Sequence, residues 1–216
     1  MIYRLTFLLV ALILLISATS CKSVATQHNT TSEIDSVAQR KQDSLAFELC
    51  QIYGLDQGIR DSRITFNKAK IMSSIDTLSF VRVVNFVVMN GFPTEELVGK
   101  RNYSQECVSM AFPAVLLHNS HRLINEQKYF DLFFNEVRKG NLQAEYFAMI
   151  LDKYYWGNSK NKDTRRVFYG SQFGKPCIQT KEATNKARIE IGLEALEDSG
   201  FVDCGDEVLD MPKERR

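Results

Sequence analysis

Phe130-Asp131-Leu132-Phe133-Phe134-Asn135-Glu136-Val137, then Gly140-Asn141, then Phe147-Ala148-Met149-Ile150-Leu151-Asp152-Lys153-Tyr154 decides the fold class. In the first segment Phe130, Phe133, Phe134 and Val137 recur at three- and four-residue steps, which places them on one face of an α-helix. Phe147, Ile150, Leu151 and Tyr154 repeat the pattern in the second. Gly140 is a helix stop and Asn141 a capping residue for the next helix. So short a link predicts an antiparallel helical hairpin.

Working outward, 44–55 carries a helical stripe of Leu45, Phe47, Leu49, Ile52 and Tyr53, with Gly54 as its stop. Asp76 is the expected N-cap of a helix running to Asn90-Gly91, with Pro93 preventing its continuation. Leu78, Phe80, Val81, Val84, Phe86, Val87 and Val88 make that helix apolar over most of its circumference, so a central position is expected. Ser104 is the expected cap of the next helix, with Val108, Ala111, Phe112, Val115 and Leu116 facing inward and Pro113 as a kink. His118 falls at the edge of that stripe. Residues 155–166 read as a polar loop, and 167–173 as two short strands or an irregular turn about Gly170. A helix over 183–191 ends at Gly192 in a left-handed cap, with Leu193 placed to touch back on its last turn. The expectation is a mainly α protein: a single helical domain of five or six helices, with one small irregular or β element near 167–173.

The N-terminal stretch speaks to location. Arg4 precedes an apolar run from Leu5 to Ile16, and Ser17-Ala18-Thr19-Ser20 leads into Cys21. A positive start, about a dozen apolar residues and a small-residue cleavage site make a secretory signal. A cysteine directly after it resembles a bacterial lipoprotein signal, in which Cys21 is freed and lipidated, although Ala18 stands where such signals usually carry Leu. The expected organisation is a signal over 1–20, a flexible tether over 21–42, a helical domain over 43–205 and a disordered tail over 206–216. The expected location is the bacterial cell envelope, lipid-anchored, on the outer membrane or the periplasmic side. Without Arg4 the basic side chains number 26, equal to the acidic ones. That balance argues against nucleic acid as a partner and against polybasic attachment to anionic lipid. Export also makes disulfides possible. Cys50 and Cys107 sit in apolar helical contexts and read as buried thiols, while Cys177 and Cys204 sit in loop-like segments where a bond between them or free thiols are both open.

The polar motifs between the helices resemble an uncharacterised bacterial family, the domain-of-unknown-function family 6624. They run Asp56-Gln57-x-x-Arg60, Gly91-Phe92-Pro93, His118, Asp152-Lys153, Tyr169-Gly170-Ser171-Gln172 and Arg188-x-x-Ile191-Gly192-Leu193. Their order and spacing follow the family over most of the chain beyond the tether. Leu117 stands where the family has Gln before its His, no acidic residue follows His118, and Lys153 replaces an Arg whose planar fork a lysine does not reproduce. The resemblance implies a domain and no reaction.

These motifs nominate Asp56, Arg60, His118, Asp152, Tyr169, Gln172 and Arg188 as one polar cluster. As a site, His118, Asp152 and Tyr169 are the catalytic candidates, since a histidine beside a carboxylate acts as a general base for water attack. Asp56, Arg60, Gln172 and Arg188 are the binding candidates, suited to an anionic or amide-bearing ligand. Asp56, His118 and Asp152 form an alternative divalent-metal set; otherwise no cofactor is expected. As structure, the same residues knit helix ends together. Lys160 to Arg166 reads as a solvated loop, with a phosphate or partner site as the alternative. The expected function is a membrane-anchored helical binding or accessory module whose protein or small-molecule partner the sequence leaves open. The alternative is a hydrolase built on His118 and Asp152.

Overall fold

A computed structural model describes residues 35–206. The signal over 1–20, Cys21, the tether as far as residue 34 and the tail over 207–216 lie outside the described residues. The chain divides into two compact units, Met1–Leu45 and Ala46–Arg216. In the first, the described residues 35–45 are helical. Residues 35–42, assigned by composition to the tether, therefore belong to a helix.

The second unit is mainly helical, as expected. Its helices are α1, which in this unit covers 46–58, α2 (Lys68–Asn90), α3 (Glu95–Val98), α4 (Lys100–Tyr103), α5 (Glu106–Ser109), α6 (Ala111–His118), α7 (Ser120–Asn125), α8 (Gln127–Arg138), α9 (Ala144–Asn158) and α10 (Lys181–Glu190). The count exceeds six because the stretch after α2 breaks into short pieces. Gly99 has φ 82, outside the right-handed region, and so separates α3 from α4. Asn119 turns its side-chain amide back onto the Val115 carbonyl at 2.9 Å and separates α6 from α7. Pro113 does not kink α6, because it is the third residue of that helix, where no intrahelical N–H bond is lost.

The hairpin of α8 and α9 forms as the stripe predicts, with the Phe130 and Phe147 rings 5.2 Å apart. Its cap differs. Asn141 does not cap α9; its amide donates to the Glu136 carboxylate at 2.8 Å, and the N-cap position falls to Gln143. Buried Glu136 also accepts from Lys139 at 2.7 Å, and its backbone carbonyl accepts from the N–H groups of Asn141 and Leu142.

The central helix is α9 rather than α2. α6, α7 and α8 all pack against α9, which buries Phe147, Ala148, Met149, Ile150, Leu151, Asp152 and Tyr155. α2 packs on α6 through Phe80, Val83, Phe86 and Val87, but leaves Val88 and Met89 70% and 79% exposed. Nor is Asp76 its cap: α2 begins at Lys68, two turns earlier, after Asn67 in a left-handed conformation. α1 likewise runs through Gly54. α10 closes as expected: with Gly192 at φ 91, the Leu193 N–H donates to the Arg188 carbonyl at 2.8 Å and the Gly192 N–H to that of Ile189 at 3.1 Å. The described residues contain no strand ladder. Segment 167–173 is an irregular turn, with isolated parallel bridges Val167 to Pro176 and Cys177 to Val202.

Both cysteine pairs are bonded. Cys177 joins Cys204, and Cys50 joins Cys107, so the two expected buried thiols are half-buried halves of a link between α1 and α5. Closing loops of 57 and 27 residues stabilises each by about 3–4 kcal/mol in the chain-entropy account. Cys50→Ser is expected to lower unfolding stability by roughly 2–4 kcal/mol, measured as a shift in urea midpoint. Equal midpoints would show that the bond contributes nothing.

Candidate functional site

The nominated residues assemble as two groups. The first gathers at the end of α1. Asp56 is fully buried, and its carboxylate meets His118 Nδ1 at 3.0 Å, accepts from the Gln57 amide at 2.8 Å and lies 3.3 Å from the Arg60 guanidinium. α1 stops at 58, and the Arg60 N–H bonds the Gln57 carbonyl at 3.0 Å, so the arginine folds back over the last turn and also donates to the Asp56 carbonyl. The Arg60 Nε–H donates to His118 Nε2 at 3.1 Å. An arginine Nε only donates, so Nε2 must offer its lone pair and Nδ1 must carry the proton toward Asp56. The other end of the guanidinium reaches the Asp76 carboxylate at 2.6 Å. Asp76 reaches this place because α2 starts at Lys68, which puts it inside the helix with its side chain toward α1.

The second group holds the 167–172 turn against α9. Asp152 is also fully buried. One carboxylate oxygen accepts from the backbone N–H of Phe168 at 2.8 Å and of Tyr169 at 2.7 Å, the other from that of Ser171 at 2.9 Å. Burial pushes this carboxyl above the usual range, and the N–H bonds from Tyr169, Phe168 and Ser171 pull it back. Arg188, on α10, clamps the other side of the turn: it donates to the Tyr169 carbonyl, and its Nε to the Glu194 carbonyl at 2.8 Å. Burial lowers its pKa, opposed by the charges of Asp152 and Glu145. Tyr169 is buried in the core. Gly170 takes φ 73, and a Cβ there would stand 2.8 Å from the Leu196 side chain and 3.0 Å from Pro176, so a larger residue is strained there.

Over this second group opens a cleft of about 700 Å³. Arg188, Gln172, Gln143, Tyr146, Glu145 and Glu194 contribute to its wall. Gln172 is exposed, with its amide nitrogen 2.7 Å from Met149 Sδ. His118 is not part of that wall, and neither is Asp152, which lies beneath it. The expected single cluster is therefore corrected in two places. The carboxylate beside His118 is Asp56, not Asp152. Asp152 faces backbone N–H groups because the turn it holds has no strand partner to take them.

The expected metal set of Asp56, His118 and Asp152 changes in the same way. Asp56, Asp76 and His118 bring ligand atoms within 4.8 Å of one another. The Arg60 guanidinium already bonds all three, so a cation would have to displace a positive charge. Asp76 and Glu136 were invisible as functional neighbours. Asp76 matched a cap pattern, and Glu136 lay on a polar helix face without any motif.

Asp152→Asn keeps the shape but gives the turn one donor where it needs an acceptor. It is expected to cost about 2–4 kcal/mol of stability in denaturant unfolding. Gly170→Ala is expected to cost about 1–3 kcal/mol by the same measurement, through backbone strain and the clash with Leu196. A neutral result for both would remove the turn from the parts that hold the fold.

Comparison of the chain with protein-family models, with curated proteins and with solved structures finds no match in any of the three.

Proposed function

We propose that this protein is a lipid-anchored helical binding module of the bacterial cell envelope, of the family-6624 type, whose ligand sits in the cleft between α9 and the 170–172 turn. The observation that carries the proposal is the cleft itself: about 700 Å³, with two of the nominated binding residues, Gln172 and Arg188, in its wall. Its chemistry narrows the ligand. Arg188 Nε and Nη1 donate to backbone carbonyls, while Glu145 and Glu194 put negative charge in the cleft wall, which disfavours an anion. Gln143 and Gln172 each offer an amide donor and acceptor, and Tyr146 an aromatic face. These groups suit a neutral, amide-bearing ligand such as a peptide segment. Two disulfides are consistent with residence in an oxidising compartment.

Hydrolysis is the second function with an observation behind it, the contact between Asp56 and His118 at 3.0 Å. Its general base would be His118 with Asp56 as orienting carboxylate. Against it, the Nε2 lone pair that a base needs accepts from Arg60.

An N-acetylated, C-amidated trialanine peptide titrated into isotopically labelled protein is expected to shift the backbone resonances of Ser171, Gln172 and Gly192 saturably. Gln172→Ala is expected to weaken that binding several-fold with unchanged folding. Absence of saturable shifts at those residues would sink the cleft as a peptide seat. For the hydrolase alternative, His118→Ala is expected to lower the melting temperature, corresponding to about 1–3 kcal/mol, because it strips partners from buried Asp56 and from Arg60. Unchanged melting with loss of a hydrolytic activity would reverse the order of the two functions. The anchor is separable: intact-mass analysis of the membrane-extracted chain is expected to show an acylated N-terminal Cys21, and an unmodified chain starting elsewhere would remove the anchor.

A further inference from the structure

The corner where α9 ends carries an arrangement that the cleft does not use. Trp156, the only tryptophan of the chain, lies half-buried in the last turns of α9. Two cations attend its ring: Lys153 Nζ at 4.1 Å and the Arg165 guanidinium carbon at 3.7 Å from the centroid. The Phe173 ring stands 5.5 Å away, tilted 38°, with the same lysine 5.2 Å from its centre. The Lys162 ammonium donates to the Gly157 and Ser159 carbonyls at 2.9 and 2.7 Å and so ties the following loop to the helix end.

One cation over an indole face is ordinary stabilisation. Two on one ring are different, because each opposes the other. Burial and the Arg165 charge both depress the Lys153 pKa. Among the described residues, no carboxylate forms an ion pair with Lys153 or Arg165. The loop adds Lys160 and Lys162 beside Asp163. In a protein whose basic and acidic residues nearly balance, this is a local excess of positive charge.

We propose that Lys153, Arg165 and the rim of Trp156 form a seat for a phosphate group. The chemistry fits in three respects. The guanidinium fork matches phosphate oxygens, and the ammonium supplies a second, compact charge. The indole edge is its electropositive part and carries an N–H donor. Arg165 Nε donates to the Lys162 carbonyl at 3.3 Å, which leaves the two Nη groups of the fork for an anion. The bound anion also removes the repulsion between the two cations. The phosphate group belongs either to a phospholipid headgroup or to a small soluble phosphate. The seat stands independently of the cleft: Lys153, Trp156 and Arg165 take no part in the cleft wall.

Because Trp156 is the only tryptophan, fluorescence excited selectively at tryptophan, beyond the absorption of the tyrosines, reports on this ring. The full mature chain in neutral detergent is titrated with sodium phosphate, against sodium chloride at matched ionic strength. Vesicles of phosphatidylglycerol and of phosphatidylcholine make the second pair of arms. A saturable change of Trp156 emission is expected with phosphate or with phosphatidylglycerol and not with chloride or with phosphatidylcholine, whose phosphate is already neutralised by its own choline cation. Response to phosphatidylglycerol alone assigns the group to a lipid headgroup, and response to phosphate alone assigns it to a soluble ligand. The double variant K153Q/R165Q is expected to lose affinity at least about tenfold, whereas Lys153→Arg retains it, with circular-dichroism melting as the folding control. The proposal is overturned if neither phosphate nor phosphatidylglycerol exceeds its control. A response that persists undiminished in the folded double variant overturns it equally. Should the double variant not fold, the matched-salt comparison on the unaltered chain decides alone.

Discussion

Asp152 holds the turn at 168–171 against α9. Its carboxylate is fully buried on α9, and its two oxygens accept three backbone N–H groups from the turn at 168–171. Such a turn has no strand partner, and buried backbone donors left unpaired are costly. Arg188 satisfies carbonyls of the same turn from α10. A negative group takes the donors and a positive group takes the acceptors, so a segment without regular structure becomes a fixed part of the fold. The cleft over Gln172 and Arg188 exists because that turn does not move away from α9.

The cluster around His118 follows the same logic with side chains. Arg60 bridges Asp56, His118 and Asp76, and so connects the end of α1 to α2 and α6. Buried Asp56 would be costly alone; a histidine, an arginine and the Gln57 amide around it make its burial tolerable. Motif residues of one chain thus divide between bracing and exposure. Asp56, Asp152 and Tyr169 are interior, whereas Gln172 is on the surface with Arg188 at the cleft wall beneath it.

Much of the helical content was legible along the chain. The stripes of α8 and α9, the Gly192 cap and the irregular 167–173 turn each depend on neighbours within a few residues, which local sequence records. The motif residues were legible as polar anomalies beside apolar stripes. Their grouping was not. Asp76 matched a cap, yet α2 starts two turns earlier and delivers it to Arg60. α2 looked central from its apolar content, but it leaves Val88 and Met89 exposed, whereas α9 buries Phe147 to Asp152 and Tyr155. Cys50 and Cys107 looked like buried thiols because 57 residues of sequence separate the two.

By itself the sequence determined the class of the fold, the apolar stripes of its principal hairpin and the left-handed cap at Gly192. These are short-range matters of side-chain periodicity and φ. Only the tertiary structure decided which carboxylate meets His118, that Asp152 serves the backbone, which cysteines pair, and that two cations meet on one tryptophan. Those outcomes depend on distances between segments far apart in the chain, and a pattern of residue types along a line carries no such distances.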